Sequence, residues 1–314
     1  MKISVILCTL NRCQDLPRAL ESLAASNLPA SDDWEVLVVD NNSKDRTPEV
    51  VEEFCRRFPG RFHYLLESRQ GKSHALNAGI RQARGEILAF MDDDVTVEPD
   101  WLRHLTAPLH DSEWAGSTGR ILPKWSIPPP SWLPIGEWYG KAPLVIFDLG
   151  PEPGPLTELP FGTNMAFRAA VFEKYGGFRV DLGPQPDNHN PQKCEDSEFG
   201  HRLLAAGEKL KYEPSAVVYH PVPANRLQQQ YFLTWWFDKA RANILAFRDS
   251  AGTGWRVAGV PLHLLRRLLA GSLRWMVAVE PSRRFSRKLT VWFLAGQILE
   301  CFRHFKSKAP VVVP

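Results

Sequence analysis

The stretch Ile87-Leu88-Ala89-Phe90-Met91-Asp92-Asp93-Asp94-Val95 decides how the rest of the chain is read. An apolar run of strand length leads straight into three carboxylates. Like charges crowded at a strand end repel one another and cost stability unless a cation joins them. Residues two apart in an extended chain point the same way, so Asp92 and Asp94 can share one ligand. A hard divalent cation prefers such oxygens. It would neutralise the charge that develops on a departing pyrophosphate.

Working outward, four more apolar runs predict strands at 3–8, 35–39, 62–66 and 115–121, with the central one at 87–91. Amphipathic stretches near 15–25, 46–58, 72–83 and 98–109 alternate with them. This β-α rhythm predicts an α/β fold with a mostly parallel sheet covered by helices on both faces. In such sheets ligands bind beyond the carboxyl ends of the strands. Thr9, Asn11 and Arg12 follow the first strand, and Asp40-Asn41-Asn42-Ser43-Lys44-Asp45 follows the second. A carboxylate there can accept from a ribose hydroxyl or a base N–H, although the same residues alone make a good turn and helix cap.

The third strand is followed by Arg69-Gln70-Gly71-Lys72-Ser73-His74-Ala75-Leu76-Asn77-Ala78-Gly79. Gly71-Lys72-Ser73 suggests a phosphate-binding P-loop, but that motif needs glycine at position 66, where this chain has Leu66. No GxGxxG follows the first strand, so a dinucleotide-binding dehydrogenase has no support.

Beyond residue 121 the chain changes character. Residues 122–160 hold ten prolines together with Trp125, Trp132 and Trp138. Proline fixes φ and removes a donor, so irregular structure is expected here, as a lid or binding loop. Regular structure is predicted to resume at 162–175, in a helix at 196–206 closed by Gly207, and in a strand at 216–220. Helical patterns follow at 231–247, 260–279 and 289–302. No run reaches the roughly 18 to 20 apolar residues of a spanning helix.

Hydrophobic content of 44% and charged content of 23% are those of a globular protein. The net charge of +3 is unevenly divided. From Arg248 onward there are 12 Lys and Arg against three acids, whereas residues 1–247 carry 26 basic and 32 acidic residues. A basic tail suits an anionic surface. The five cysteines, without a CxxC pair, give no disulfide framework or zinc knuckle. With no leader legible at Lys2-Ile3-Ser4, a reducing, cytoplasmic location is expected.

The ordered set of these residues resembles family 2 of the glycosyltransferases. The resemblance covers roughly residues 1–225. Its marks are Ser4 to Arg12, Val39 to Ser43, Gly71 to Gly79, Asp92–Asp94 at the family's DxD, Phe161 to Arg168 at its acceptor loop, Glu195-Asp196 at its ED motif, and His220. It implies the GT-A fold, a Rossmann-like nucleotide-binding mixed sheet with flanking helices, plus C-terminal amphipathic helices. The corresponding domains are a catalytic one at 1–225 (a nucleotide-sugar-binding half, 1–121; the Pro/Trp-rich loop, 122–160; an acceptor and catalytic half, 161–225) and a basic helical region at 226–314.

The resemblance also implies an inverting transfer from a nucleotide-sugar, with UDP favoured over GDP, to a hydroxyl of a lipid-linked saccharide. Asp196 would be the general base. Its helix-start position favours the ionised form, while burial and Glu195 oppose it. Manganese or magnesium would be held by Asp94 and His220, with Asp92 contacting the ribose or bridging to the metal through water. Thr9, Asn11, Arg12, Asp40, Asn42, Lys72, Asn77, Asp92 and Asp93 would bind the donor. Gly162, Thr163, Asn164 and Glu195 would bind the acceptor. Direct transfer to a polyprenyl phosphate and a non-catalytic nucleotide-sugar-binding protein are the alternatives.

In the tail, residues 262, 265, 269, 273 and 276 form one apolar helical stripe with arginines beside it. Basic residues, tryptophans and too little length to span are marks of helices lying in a membrane interface. The expectation is peripheral contact with the inner face of a membrane. Nucleic acid is not expected, because the arginines alternate with leucines and no exposed aromatic platform accompanies them.

Overall fold

The run Ile3–Thr9 is apolar at almost every position, and it becomes a strand paired on both sides and buried on both faces. The computed structural model describes residues 2–27, 33–156, 161–184, 194–247 and 255–308. The ends of two predicted segments, 157–160 and 309–314, lie outside these, as does Arg248.

In chain order the elements are β1 (Ile3–Thr9), α1 (Leu16–Ala24), β2 (Trp34–Asp40), α2 (Thr47–Arg57), β3 (Phe62–Leu66), α3 (Lys72–Gln82), β4 (Ile87–Asp92), β5 (Thr96–Val97), α4 (Trp101–Thr106) and β6 (Gly116–Trp125). There follow α5 (Trp138–Lys141), β7 (Gly154–Pro155), β8 (Asn164–Arg168), α6 (Ala169–Tyr175), α7 (Glu195–Ala205), β9 (Leu210–Val222) and α8 (Gln229–Ala246). The last are β10 (Arg256–Val257), β11 (Val260–Pro261), α9 (Leu262–Met276) and α10 (Pro281–Lys308). Pro17 and Pro48 stand in the first turns of α1 and α2, where a missing N–H has no consequence.

The large sheet runs β3-β2-β1-β4-β8-β6-β9-β5, with β7 on β9. The expected parallel pairing holds from β3 to β4. Beyond β4 it does not: β8 runs antiparallel to both β4 and β6, and β5 antiparallel to β9. Running antiparallel, β8 enters the sheet at the edge at which β4 leaves.

The described residues form two compact units. One comprises those within Met1–Lys124, Val145–Asn188 and Glu195–Pro221; the other, those within Trp125–Leu144, His189–Cys194 and Val222–Pro314. The first holds the large core around the sheet. Phe90, Phe167, Phe172, Phe178 and Phe199 pack there ring against ring, with centroids 4.9 to 6.2 Å apart.

In the second unit α10 packs along α8, where Gly296 lets the two backbones approach and Arg241 Nε donates to Glu300 at 2.9 Å. The proline-rich stretch is not a featureless loop. Trp132 packs edge-on against Phe232 and Phe285, and Trp236 Nε1 donates to the Tyr139 carbonyl at 2.8 Å. These contacts pin residues 125–144 onto α8 and α10. The last helix is 28 residues long, well beyond the predicted 289–302, because its polar ends lack the apolar periodicity that marks its middle.

In the sheet, Gly119 faces Ala216: a Cβ there would lie 1.9 Å from the Ala216 carbonyl oxygen. Gly119→Ala should therefore destabilise the protein by about 3 kcal/mol, read as a lower urea midpoint with unchanged slope. A loss below about 0.5 kcal/mol would contradict this packing.

Candidate active site

The register of the strands sets one edge of the first unit. Thr9 lies opposite Asp40, Asp40 opposite Leu66, Cys8 opposite Asp92, and Met91 opposite Asn164. The carboxyl ends of β1 to β4 and the entry to β8 thus share one rim.

Lys72 opens α3 at this rim. Gly71 before it has φ +128°, a conformation that side chains rarely allow, and its N–H donates to Asn41 Oδ1 at 2.7 Å. The Lys72 N–H is fixed by the Pro184 carbonyl at 3.0 Å. Held from both sides, Lys72 sends its ammonium to Asp92 Oδ1 at 2.6 Å, with Glu195 Oε1 at 3.8 Å. The other oxygen of Asp92 accepts from Thr163 Oγ1 at 2.5 Å. The neighbouring Gly162 N–H donates to Asp196 Oδ2 at 2.9 Å. A Cβ on Gly162 would stand 3.6 Å from that oxygen and 3.7 Å from Lys72 Nζ, so Lys72, Asp92, Thr163, Glu195 and Asp196 form one cluster around a glycine gap.

Electrostatics follow from this crowding. Burial opposes the charge on Lys72, but Asp92, Glu195 and Asp196 outweigh it and hold the ammonium well above its ordinary value. Burial also opposes ionisation of Asp92, yet Lys72 and Thr163 bring its carboxyl below the usual range. Asp93 is pushed up to about 6, mainly by burial, with the Thr9 hydroxyl beside it opposing. Glu195 is pushed up to about 7 by burial first and by adjacent Asp196 second.

The remaining predicted residues divide. Arg12 Nε stands 4.0 Å from Asp93 Oδ1, and Thr9 is buried at the end of β1, so both belong to the rim. Asn11 and Asn42 take left-handed backbone angles, φ +53° and +68°. Asn11 Oδ1 accepts the Lys44 N–H and Asn42 Oδ1 the Lys44 ammonium, which ties the loops after β1 and β2 together. Asp40 accepts from Tyr64 Oη at 2.9 Å and from the Ser43 N–H at 2.9 Å.

Two predicted residues have backbone partners within the protein. The Asn77 amide exchanges hydrogen bonds with the backbone of Phe178, donating to the carbonyl at 2.7 Å and accepting from the N–H at 2.9 Å. Asn164 lies at the entry to β8. Its side chain is fully buried, donating to the Arg120 and Ala216 carbonyls and accepting from Trp101 Nε1. Sequence reading gave no role to Asn41, whose amide also donates to the Glu67 and Arg69 carbonyls. Its place beside Asp40 was the available signal.

On the same rim His220 Nε2 faces Asp94 Oδ1 at 3.9 Å, and both side chains are largely buried. A carboxylate beside an imidazole suits manganese better than magnesium, which prefers oxygen alone, so this donor pair fits the first of the two ions the resemblance implies. Among the described residues no group of three or more His, Cys, Asp or Glu converges as a metal site.

Known proteins resemble this chain in sequence and in fold. The family described as Glycosyl transferase family 2 matches residues 4–176. The succinoglycan biosynthesis protein ExoM of Rhizobium meliloti (strain 1021) is 27% identical over 227 residues, 72% of this chain and 69% of that protein. The glucosyl-dolichyl phosphate glucuronosyltransferase of Haloferax volcanii is 25% identical over 224 residues, 70% of this chain and 69% of that one. Among solved structures, the mannosyltransferase PcManGT from Pyrobaculum calidifontis, in complex with GDP-Man and Mn2+, superposes with TM-score 0.60 at 19% identity, covering 98% of this chain and 76% of that one. S. aureus TarS 1-349 in complex with UDP gives TM-score 0.53 at 17% identity, covering 97% and 92%.

The raised Glu195 carboxyl has a consequence for stability. The unfolded chain loses this proton near 4.5, and the folded protein holds it to about 7, so stability falls as pH rises through that window. Thermal melts of the protein and of Glu195→Gln should diverge between those pH values, the parent losing ground. Parallel curves would contradict the burial of this group.

Proposed function

Because the chain belongs to glycosyl transferase family 2, and is a glycosyltransferase with the GT-A fold, we propose that it transfers a sugar from a nucleotide-sugar to an acceptor hydroxyl by a single inverting displacement at the rim of β1, β2, β4 and β8. The observation that carries this reading is the juxtaposition of Asp196 with the Lys72–Asp92 pair across Gly162.

In this reading Asp196 accepts the proton of the attacking hydroxyl, and the Gly162 N–H holds the carboxylate in position. No covalent sugar–enzyme is formed: the acceptor oxygen bonds to the anomeric carbon as the bond to the diphosphate breaks on the opposite face. Lys72 keeps Asp92 ionised and sets its orientation. Thr9, Arg12 and Asp40 line the donor side, and Gly162, Thr163 and Glu195 the acceptor side. A divalent manganese or magnesium ion, held by Asp94 and His220, would supply charge neutralisation to the leaving diphosphate. The solved structures of similar fold with GDP-Man and Mn2+ or with UDP support a nucleoside diphosphate donor.

The glucuronosyltransferase relative, named for a glucosyl-dolichyl phosphate, supports a lipid-linked acceptor. Among the described residues no helix is long and apolar enough to cross a membrane. We assign membrane contact instead to the basic helical unit, where Leu269, Leu273 and Met276 of the predicted stripe are exposed.

Three substitutions separate the roles. Asp196→Asn should lower transfer by about a thousandfold and leave nucleotide affinity nearly unchanged; undiminished turnover would remove Asp196 as the base. Asp94→Ala and His220→Ala should each abolish the gain in nucleoside diphosphate affinity that manganese gives, measured by calorimetry with and without the ion. Retention of that gain in both variants would contradict the metal assignment.

A further inference from the structure

Between α9 and α10 runs a groove of about 670 Å³ whose polar wall is made of Arg266, Arg267, Arg274 and Arg287. Among the described residues none of those lining it is a carboxylate. Among the described residues Arg266, Arg267 and Arg274 form no ion pair. From Trp255 to Lys308 the sequence has only two acids, Glu280 and Glu300. Both are engaged elsewhere: Glu280 accepts the N–H groups of Ser282 and Arg283 at the start of α10, and Glu300 accepts from Arg241. Arg287 is fixed in the wall, since its Nη1 donates to the Arg274 carbonyl at 2.6 Å.

An apolar ridge flanks this groove on α9. Leu269 is 66% exposed, Leu273 53% and Met276 65%, and Val277 and Val279 continue it past the end of the helix. The opposite side of α9 is covered: Leu264 belongs to the small core with Leu294 and Cys301 of α10. The ridge is thus not surplus core surface. Trp275 and Trp292 meet edge to face nearby, with Lys288 over both rings at 5.8 and 5.3 Å, a pairing of aromatic ring and cation typical of a headgroup layer.

We propose that this groove is a binding site for the phosphate of an anionic membrane lipid, with the ridge seated among the acyl chains. Guanidinium forks match phosphate oxygens in paired hydrogen bonds, and four line this groove with no carboxylate among its described lining residues. A free anion would make no use of the exposed leucines, and an apolar surface alone would make no use of the arginines; a charged lipid uses both. The proposal rests on the membrane reading of the helical unit and is independent of the transfer chemistry.

The test is co-sedimentation of the full chain with vesicles of phosphatidylcholine alone or mixed with phosphatidylglycerol. The protein should pellet strongly only with the anionic vesicles. Arg266→Gln, Arg267→Gln and Arg274→Gln combined should weaken that binding on the order of a hundredfold. A charge-matched control, Arg256→Gln, Arg283→Gln and Arg303→Gln, should weaken it far less. All six side chains are exposed, so folding is retained, and circular dichroism checks it. Equal losses in the two triple variants, or equal binding to neutral vesicles, would overturn the groove while leaving membrane contact standing. Failure to pellet with any vesicle, or preference for RNA over anionic vesicles, would overturn both.

Discussion

A single ammonium group makes the rim of this protein possible. Asp92, Glu195 and Asp196 come from two segments more than a hundred residues apart, and each would raise the others' ionisation cost if they met without a counter-charge. Lys72 stands among them, 2.6 Å from Asp92 and 3.8 Å from Glu195. Removing one partner from such a buried arrangement leaves an uncompensated charge, which is far more costly than the net worth of the pair. The geometry of Gly71, Asn41 and Pro184 that aims Lys72 is therefore as much a part of the site as the carboxylates themselves.

The sheet explains how the cluster is assembled. Parallel strands β1 to β4 deliver Thr9, Asp40 and Asp92 to one edge, as their order requires. The reversal at β8 brings Gly162 and Thr163 to that edge from the other direction, and β9 carries His220 to Asp94. The parallel strands bring Asp92 to the gap, and Asp196 reaches it only through the segment that follows β8. The change of strand direction gives the fold two faces around one gap.

Much of this was legible in the sequence because burial leaves a strong trace. Strands β1 to β4 lie within two residues of their predicted ends, since a doubly covered strand is an apolar run with no other reading. Asp92, Asp94, Asp196 and His220 were legible because charges beside apolar strands or at a helix start need a reason. The backbone partners of Asn77 and Asn164 were not legible, because an amide serves a ligand and a backbone equally well; only the fold shows the Phe178, Arg120 and Ala216 carbonyls beside them. The order in residues 125–144 was invisible for a related reason. Proline excludes regular structure from a window, but it does not say that Trp132 finds Phe232 and Phe285 far along the chain.

The central claim is that the cation pair and the base look into one pocket. The direct measurement is carbon NMR of protein labelled at the aspartate carboxyls, with manganese added together with a nucleoside diphosphate. The paramagnetic ion should broaden Asp92, Asp93, Asp94 and Asp196 together. Asp33 and Asp111, which sit at the opposite ends of the strands beside Ile3 and Arg168, should stay sharp. If Asp94 broadens while Asp196 keeps its line width, the two do not share a site and the account fails.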